Sequence, residues 1–195
     1  PRRGLLPIEW LVLGYMALTL TIVLFTYTQL TNPQAMIWGR VRIGAITVAL
    51  WAAYRLVPCR VTRAARGITQ LALLAWWYPD TYEINRMFDN LDHVFAAFEQ
   101  QCFGCQPALL FAAALPSRVV SELMSLGYAS YYPMIAVVVL YYFACRYDEF
   151  ERVSFVVLAT FFVYYVVFIF VPVAGPTFYF KAVGTEAAET GVVRA

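Results

Sequence analysis

The sequence predicts an all-α membrane protein: a single domain, residues 1–195, of about five transmembrane helices plus one interfacial amphipathic helix. Hydrophobic residues make up 62% of the chain and charged residues 13%, whereas soluble domains have about 45–50% and about 25%. Five apolar stretches approach the roughly 20 residues that cross a bilayer core. A soluble fold of this size would lack the polar side chains needed to cover its surface.

The five spans follow from the apolar stretches in order. The first, 7–29, begins with Pro7, which suits a first helical turn, and Asn32-Pro33 marks the turn after it. The others are predicted over 36–57, 67–79, 121–143 and 153–173. The third is the shortest, and its Trp76-Trp77-Tyr78 cluster is typical of the aromatic belt at a membrane surface.

Both ends of the sequence carry expectations. The apolar run from Leu5 to Tyr27 is longer than the 7–15-residue core of a signal peptide, so we expect it to remain as an anchor. The chain starts at Pro1 rather than methionine, which predicts a trimmed N-terminus. The small, polar segment 184–195 is typical of a loop, and we expect the chain to be the N-terminal part of a longer protein.

The distribution of arginines predicts the orientation in the membrane. The run Arg60, Arg63 and Arg66, expected in a loop, favours a cytoplasmic location under the positive-inside rule. The N-terminus would then be cytoplasmic and the C-terminus outside. The cytoplasmic side would also hold Arg2, Arg3, Arg55, Arg146 and Arg152, and the other side Arg40, Arg42, Arg86, Arg118, Lys181 and Arg194.

The segment between the third and fourth spans is too polar to cross the membrane. Its apolar residues recur at helical spacing, with polar residues on the other face, which predicts an amphipathic helix ended by Gly104 and Pro107. Such a helix would lie in the interface or pack on the bundle, and the pattern does not distinguish the two. The apolar positions are Met87, Phe88, Leu91, Val94, Phe95 and Phe98.

Few residues in the chain offer chemistry. The one histidine, His93, shares a face with Asp89, which allows a charge-assisted hydrogen bond in either a solvated polar cluster or a headgroup contact. Glu122 would be either a functional group at membrane depth or the partner of Arg118 in a helix-end ion pair. Tyr128 belongs to a set of tyrosines in the fourth span whose common role is anchoring.

The cysteines and the charge exclude several classes of protein. The four cysteines are too dispersed for a disulfide scaffold. Cys102 and Cys105 form a C-x-x-C without a second pair, so no metal site is predicted. A disulfide between these two cysteines is an alternative if the segment faces an oxidising compartment. The net charge of +2, scattered among apolar runs, gives no basic face for nucleic acid. No cofactor is expected.

The string Pro172-Val173-Ala174-Gly175-Pro176 predicts where the last span ends. The prolines remove helical hydrogen bonds and Gly175 adopts conformations that other residues avoid. Free backbone N–H groups and Lys181 are therefore expected at one end of the bundle, in a place that suits an anion such as a lipid phosphate. The candidate substrate-binding residues are Gly175, Pro176, Thr177, Tyr179, Lys181, Glu122 and Tyr128.

Several strings occur in an order found in one family. The chain resembles the membrane-bound type 2 phosphatidic acid phosphatase superfamily, in its branch related to inositol phosphorylceramide synthases, over nearly its whole length. The strings are Leu91-Asp92-His93, Phe103-Gly104-Cys105-Gln106-Pro107, Ser121-Glu122-Leu123, the run from Tyr128 to Pro133, and Pro172 to Pro176.

The resemblance implies metal-independent phosphoryl chemistry. One histidine would attack phosphorus to give a phospho-enzyme, a second would protonate the leaving group, and arginines with a lysine would hold the phosphate oxygens. The family's Pro-Ser-x-His and Ser-Arg-x5-His motifs are missing from this chain, as is its Lys-x6-Arg-Pro motif, and Thr177 stands where related members carry arginine. The resemblance therefore implies that the catalytic histidines follow Ala195.

Two hypotheses of different classes result. The first is a lipid phosphatase or phosphotransferase of a bacterial inner membrane, with its site on the outer face and a phosphorylated lipid headgroup as substrate. The second is a non-catalytic membrane module, either half of a transporter or an assembly subunit. The sequence gives no oligomeric state for either.

Overall fold

A computed structural model describes residues 4–115 and 117–183. Within these ranges the chain forms nine α-helices. Contacts divide it into two units, one of residues Pro1–Met87 with Ala136–Phe170, the other of Phe88–Ile135 with Val171–Ala195. The helices are α1 Pro7–Phe25, α2 Pro33–Leu56, α3 Arg60–Ala72, α4 Leu74–Asn85, α5 Asp92–Phe103, α6 Pro107–Ala114, α7 Arg118–Cys145, α8 Tyr147–Phe170 and α9 Pro176–Val183.

The prediction of an all-α membrane protein is confirmed. In the described part of the chain, four helices, α1, α2, α7 and α8, are long and apolar enough to cross a membrane. Pro7 and Pro33 each occupy a first helical turn, where the missing N–H costs no hydrogen bond. The Asn32 side chain caps α2 by accepting from the Ala35 N–H at 3.3 Å.

The third predicted span differs from the expectation. It is two helices, α3 and α4, of 13 and 12 residues, which meet at Leu73, so neither alone has the length of a membrane crossing. The helical path also starts earlier than predicted, at Arg60. The arginines Arg60, Arg63 and Arg66 therefore lie on the first two turns of α3 and not in a loop.

Helices α3 and α4 pack in the core of the first unit. They contact α8, and α3 also contacts α1 and α2. Trp77 is fully buried, with Tyr15 edge-on to its indole ring at 5.0 Å between centroids. Phe162 of α8 stacks on Tyr15 at 4.1 Å. Gly39 of α2 lies so close to Trp76 that a Cβ there would come within 2.1 Å of the indole ring.

Two buried ion pairs join α3 and α4 to the preceding helices. Arg66 donates to both carboxylate oxygens of Glu9, from Nε at 2.7 Å and from Nη2 at 2.5 Å. Arg40 of α2 donates to Asp80 of α4, from Nη1 at 3.0 Å and from Nη2 at 2.7 Å. All four side chains are at most 4% exposed, so each charge is compensated inside the bundle.

The two ion pairs lie near opposite ends of the first unit. Glu9 follows the start of α1, and the start of α8 lies near it because Glu151 pairs with Arg63 of α3. Ile84 of α4 packs with Val23 and Ile169, near the ends of α1 and α8. Gln70 of α3 donates to Thr47 at 3.0 Å, and next to Asp80 the hydroxyls of Tyr15 and Thr81 are 2.9 Å apart. Polar contacts therefore extend along α3 and α4.

The predicted amphipathic helix is α5. It begins at Asp92, later than its apolar pattern suggested, and ends at Phe103. Gly104 caps it with φ +66°, a conformation that favours glycine. Val94, Phe95 and Phe98 are exposed, whereas Asp92 and Ala96 are buried. The exposed apolar side chains are what an interfacial helix presents to lipid.

Candidate functional site

The carboxylate of Asp92 connects two distant parts of the second unit. It accepts the N–H of Gly175 at 2.9 Å and the N–H of Ala174 at 2.9 Å on its nearer oxygen. Next to it, the Leu91 N–H donates to the Pro172 carbonyl at 2.8 Å. These bonds fix the chain that enters α9 against the start of α5.

Local sequence explains this geometry. The Asn90 side chain accepts the Asp92 N–H at 2.7 Å and donates to the Asp92 carboxylate at 2.9 Å, which orients it. Gly175 adopts φ +90°, which only glycine tolerates easily. Pro176 then starts α9, as a residue with fixed φ and no N–H should. The Asp92 carboxylate, bonded to the two residues before α9, also interacts favourably with the dipole of that helix.

This arrangement changes one expectation from the sequence. The backbone N–H groups at the exit were predicted to be free for a lipid phosphate, but those of Ala174 and Gly175 are bonded to Asp92. A carboxylate of the chain itself occupies the position predicted for an external anion. A phosphate could bind those two donors only by displacing Asp92.

A groove of about 170 Å³ lies beside this contact, between α5 and α9. Ala96 and Phe180, packed with Leu109 and Tyr179, form the small apolar core beneath it. Its walls are mostly apolar, with two carboxylates among them. The lining residues are Asp92, Phe95, Ala96, Glu99, Val173, Gly175, Pro176, Tyr179 and Phe180.

The groove contains some of the predicted substrate-binding residues. Gly175, Pro176 and Tyr179 line it. Thr177 and Lys181 are residues of α9, but their side chains lie outside the described part of the structure, as does segment 184–195.

Glu122 and Tyr128 do not line the groove. Both are exposed on α7, and Glu122 accepts from Arg118 Nε at 2.8 Å. Of the two alternatives for Glu122, the helix-end ion pair is therefore the one observed. Both side chains of this pair are exposed, so it contributes little to stability.

The one histidine is exposed on α5. No hydrogen bond joins His93 to Asp89 within the described ranges, and Asp92 is the carboxylate that makes structural contacts here. Residues 4–115 and 117–183 contain no group of three or more potential metal-ligating side chains. The four cysteines are free thiols.

The string Phe103 to Pro107 closes the other end of α5. Gln106 is buried, and its Nε2 donates to the Ala96 carbonyl at 2.9 Å. Gln100 donates to the Gly104 carbonyl, also at 2.9 Å. This turn thereby holds the start of α6 against α5 on the side of Ala96, one of the groove residues.

The Asp92 contact predicts a dependence of stability on pH. Burial alone would raise the pKa of Asp92, but the N–H donors of Gly175 and Ala174 outweigh it and hold the pKa below its usual 3.8. A depressed pKa in the folded state adds stability above pH 3.8, and that stability is lost as the pH falls through the folded value. We expect exchange protection of segment 172–183 to fall below about pH 4.

Hydrogen exchange, corrected for intrinsic rates, measures this effect. D92N should reduce protection near pH 6 by the equivalent of about 1–3 kcal/mol and should remove the acid-dependent step. D89N is the matched control and should keep the step. An unchanged pH profile in D92N would contradict the assignment.

Sequence reasoning missed the buried charges of the first unit. Glu9, Arg40, Arg66 and Asp80 were not identified as a group, although a charged residue within or beside an apolar span is a signal worth following. Each is paired with good geometry. The arrangement favours a structural role for all four.

Comparisons of the chain with protein-family models, curated proteins and solved structures found no match. The structure therefore defines an all-α membrane protein with a small groove beside a carboxylate-fixed helix start.

Proposed function

We propose that the chain belongs to an integral membrane phosphatase or phosphotransferase that acts on a phosphorylated lipid headgroup through a phospho-histidine intermediate. The observation that carries the proposal is the direct contact between two strings of the family resemblance. Leu91 and Asp92 bond to Pro172, Ala174 and Gly175 across more than 80 residues of sequence. Strings that merely coincided with a family pattern would not be expected to meet.

The described residues would anchor the enzyme and present its substrate. The long helices hold the protein in the bilayer, and α3 with α4 would complete a fifth crossing. The exposed apolar side chains of α5 would keep the groove at headgroup depth. In this proposal the protein lies in a bacterial inner membrane with its N-terminus cytoplasmic under the positive-inside rule, and the substrate site is on the outer face.

The chemistry requires two histidines, and the 195 residues contain one. In this proposal both catalytic histidines follow Ala195. The first forms a nitrogen–phosphorus bond as the phosphorus–oxygen bond to the leaving alcohol breaks, and the second gives that alcohol a proton. Water or an acceptor alcohol then attacks phosphorus and frees the first histidine.

The test is an activity assay on the full-length protein with a metal chelator present. The substrates are phosphatidic acid, phosphatidylglycerol phosphate and phosphoinositol lipids. We expect release or transfer of phosphate with at least one of them, and a lower rate in D92N than in D89N because Asp92 fixes the chain that enters α9. The proposal would be overturned if phosphate were neither released nor transferred from any of these substrates.

A non-catalytic membrane module is the second candidate. The observation in its favour is that the buried charged side chains of the first unit are paired with one another, which favours a structural role for them. It predicts that no Pro-Ser-x-His motif follows Ala195 in the gene. Sequencing that region separates the two candidates.

A further inference from the structure

The groove between α5 and α9 is lined by two carboxylates, and only one of them is used to hold the backbone. Asp92 is committed to the backbone of Ala174 and Gly175. Glu99, two turns further along α5, also lines the groove and is half-buried. Within the described ranges Glu99 has no hydrogen bond or ion pair. The groove therefore contains a carboxylate whose charge is not compensated by a described neighbour.

Aromatic rings form much of the surrounding wall. Phe95 of α5 and Tyr179 and Phe180 of α9 line the groove with Glu99. The rings of Tyr179 and Phe180 meet edge to face, with centroids 5.3 Å apart. A carboxylate among aromatic faces is the combination that binds alkyl-ammonium groups, because the ring faces attract cations and the carboxylate supplies the counter-charge.

The charge of the lining discriminates among headgroups. Among the side chains that the structure describes, no lining residue is basic, so a phosphate in the groove would meet the carboxylates of Asp92 and Glu99. A neutral polyol would leave the charge of Glu99 uncompensated. A small organic cation satisfies the carboxylate and the aromatic rings together, and a volume of about 170 Å³ limits the occupant to the size of an amine headgroup.

We propose that the groove between α5 and α9 binds the ammonium group of an amine-bearing lipid, with Glu99 as counter-ion and Phe95, Tyr179 and Phe180 as its aromatic walls. The exposed Val94 and Phe98 of α5 would keep the groove where such headgroups are found. This binding goes beyond the proposed phosphoryl chemistry and does not require it.

The experiment measures which lipids the full-length protein retains. Nanodiscs contain equal amounts of phosphatidylethanolamine, phosphatidylglycerol and phosphatidylinositol with identical acyl chains, and native mass spectrometry counts the lipids that stay bound. We expect phosphatidylethanolamine to be enriched. Tetramethylammonium chloride should reduce that enrichment more than sodium chloride at equal ionic strength.

Variants connect the preference to the groove. E99Q should lower the enrichment about fivefold, as expected for loss of one partly shielded ion pair, and F95L should lower it by removing a ring face while keeping an apolar side chain. E83Q is the matched control, because Glu83 lies in the first unit and pairs with Arg86. Its enrichment should equal that of the wild type.

Other outcomes would overturn the proposal. Enrichment of phosphatidylglycerol would indicate an anion site, and enrichment of phosphatidylinositol a polyol site. Full retention of phosphatidylethanolamine by E99Q would place its binding elsewhere. If an amine lipid is retained and also cleaved it is a substrate, and if it stays intact it is a structural lipid, so failure of the phosphatase assay alone leaves this test unaffected.

Discussion

Replacing Arg66 with methionine is expected to destabilise the first unit by about 3–5 kcal/mol, because it leaves the Glu9 carboxylate buried without a counter-charge. Arg66 and Glu9 are both fully buried and share two hydrogen bonds. Arg66 also donates to the Gly4 carbonyl at 3.1 Å and lies over the Tyr54 ring. One substitution would therefore disturb contacts of α3 with α1, α2 and the residues before α1.

The measurement is unfolding in mixed micelles by titration with dodecyl sulfate, followed by tryptophan fluorescence. Trp77 is a suitable reporter because it is fully buried beside α1 and α8. R63M is the control: Arg63 pairs with Glu151, but both side chains are about one-third exposed, so we expect a loss below about 1 kcal/mol.

A double variant separates the cost of an unpaired charge from the value of the pair. Combining R66M with E9Q removes both charges, and we expect it to recover much of the stability that R66M loses. Glu9 also accepts the Leu6 N–H at 2.7 Å, and glutamine retains a carbonyl for that bond. If R66M alone unfolds like the wild type, the buried pair does not stabilise the first unit.

The long helices were predictable because each is one continuous apolar run. The third span was predicted, but its start at Arg60 and its division into α3 and α4 were not, because its polar residues become acceptable only through partners elsewhere in the chain. Arg66 and Glu9 are 57 residues apart, and Arg40 and Asp80 are 40 apart. A hydropathy window covers only one member of each pair. It therefore scores the charged residue as unfavourable and does not register the counter-ion that stabilises it.

The candidate site shows the same limit. Gly175 and Pro176 reveal locally that the chain leaves helix there, so the exit could be predicted. The choice of Asp92 as the acceptor of the exit N–H groups could not, because it depends on a contact between residues 83 positions apart. Free donors were therefore expected where the structure has bonded ones, and the carboxylate Glu99 was not identified as a groove residue.

The contact between Arg40 and Asp80 yields the second large expected effect. Replacing Asp80 with asparagine should cost about 3–5 kcal/mol, because the Arg40 guanidinium would remain buried without its counter-ion. Arg40 is 2% exposed and also donates to the Met36 carbonyl at 2.8 Å. It has little freedom to reach another acceptor.

R40K tests whether geometry matters in addition to charge. A guanidinium binds both carboxylate oxygens of Asp80 at once, as the two distances of 3.0 and 2.7 Å show, whereas an ammonium acts as a point charge and loses this fork. We expect R40K to be less stable than the wild type yet more stable than D80N in the same titration. Equal stability of R40K and the wild type would mean that charge alone holds α4 against α2. A lower stability of R40K would mean instead that the bidentate contact with Arg40 fixes the position of α4 against the start of α2. The break at Leu73 would otherwise leave that position less constrained.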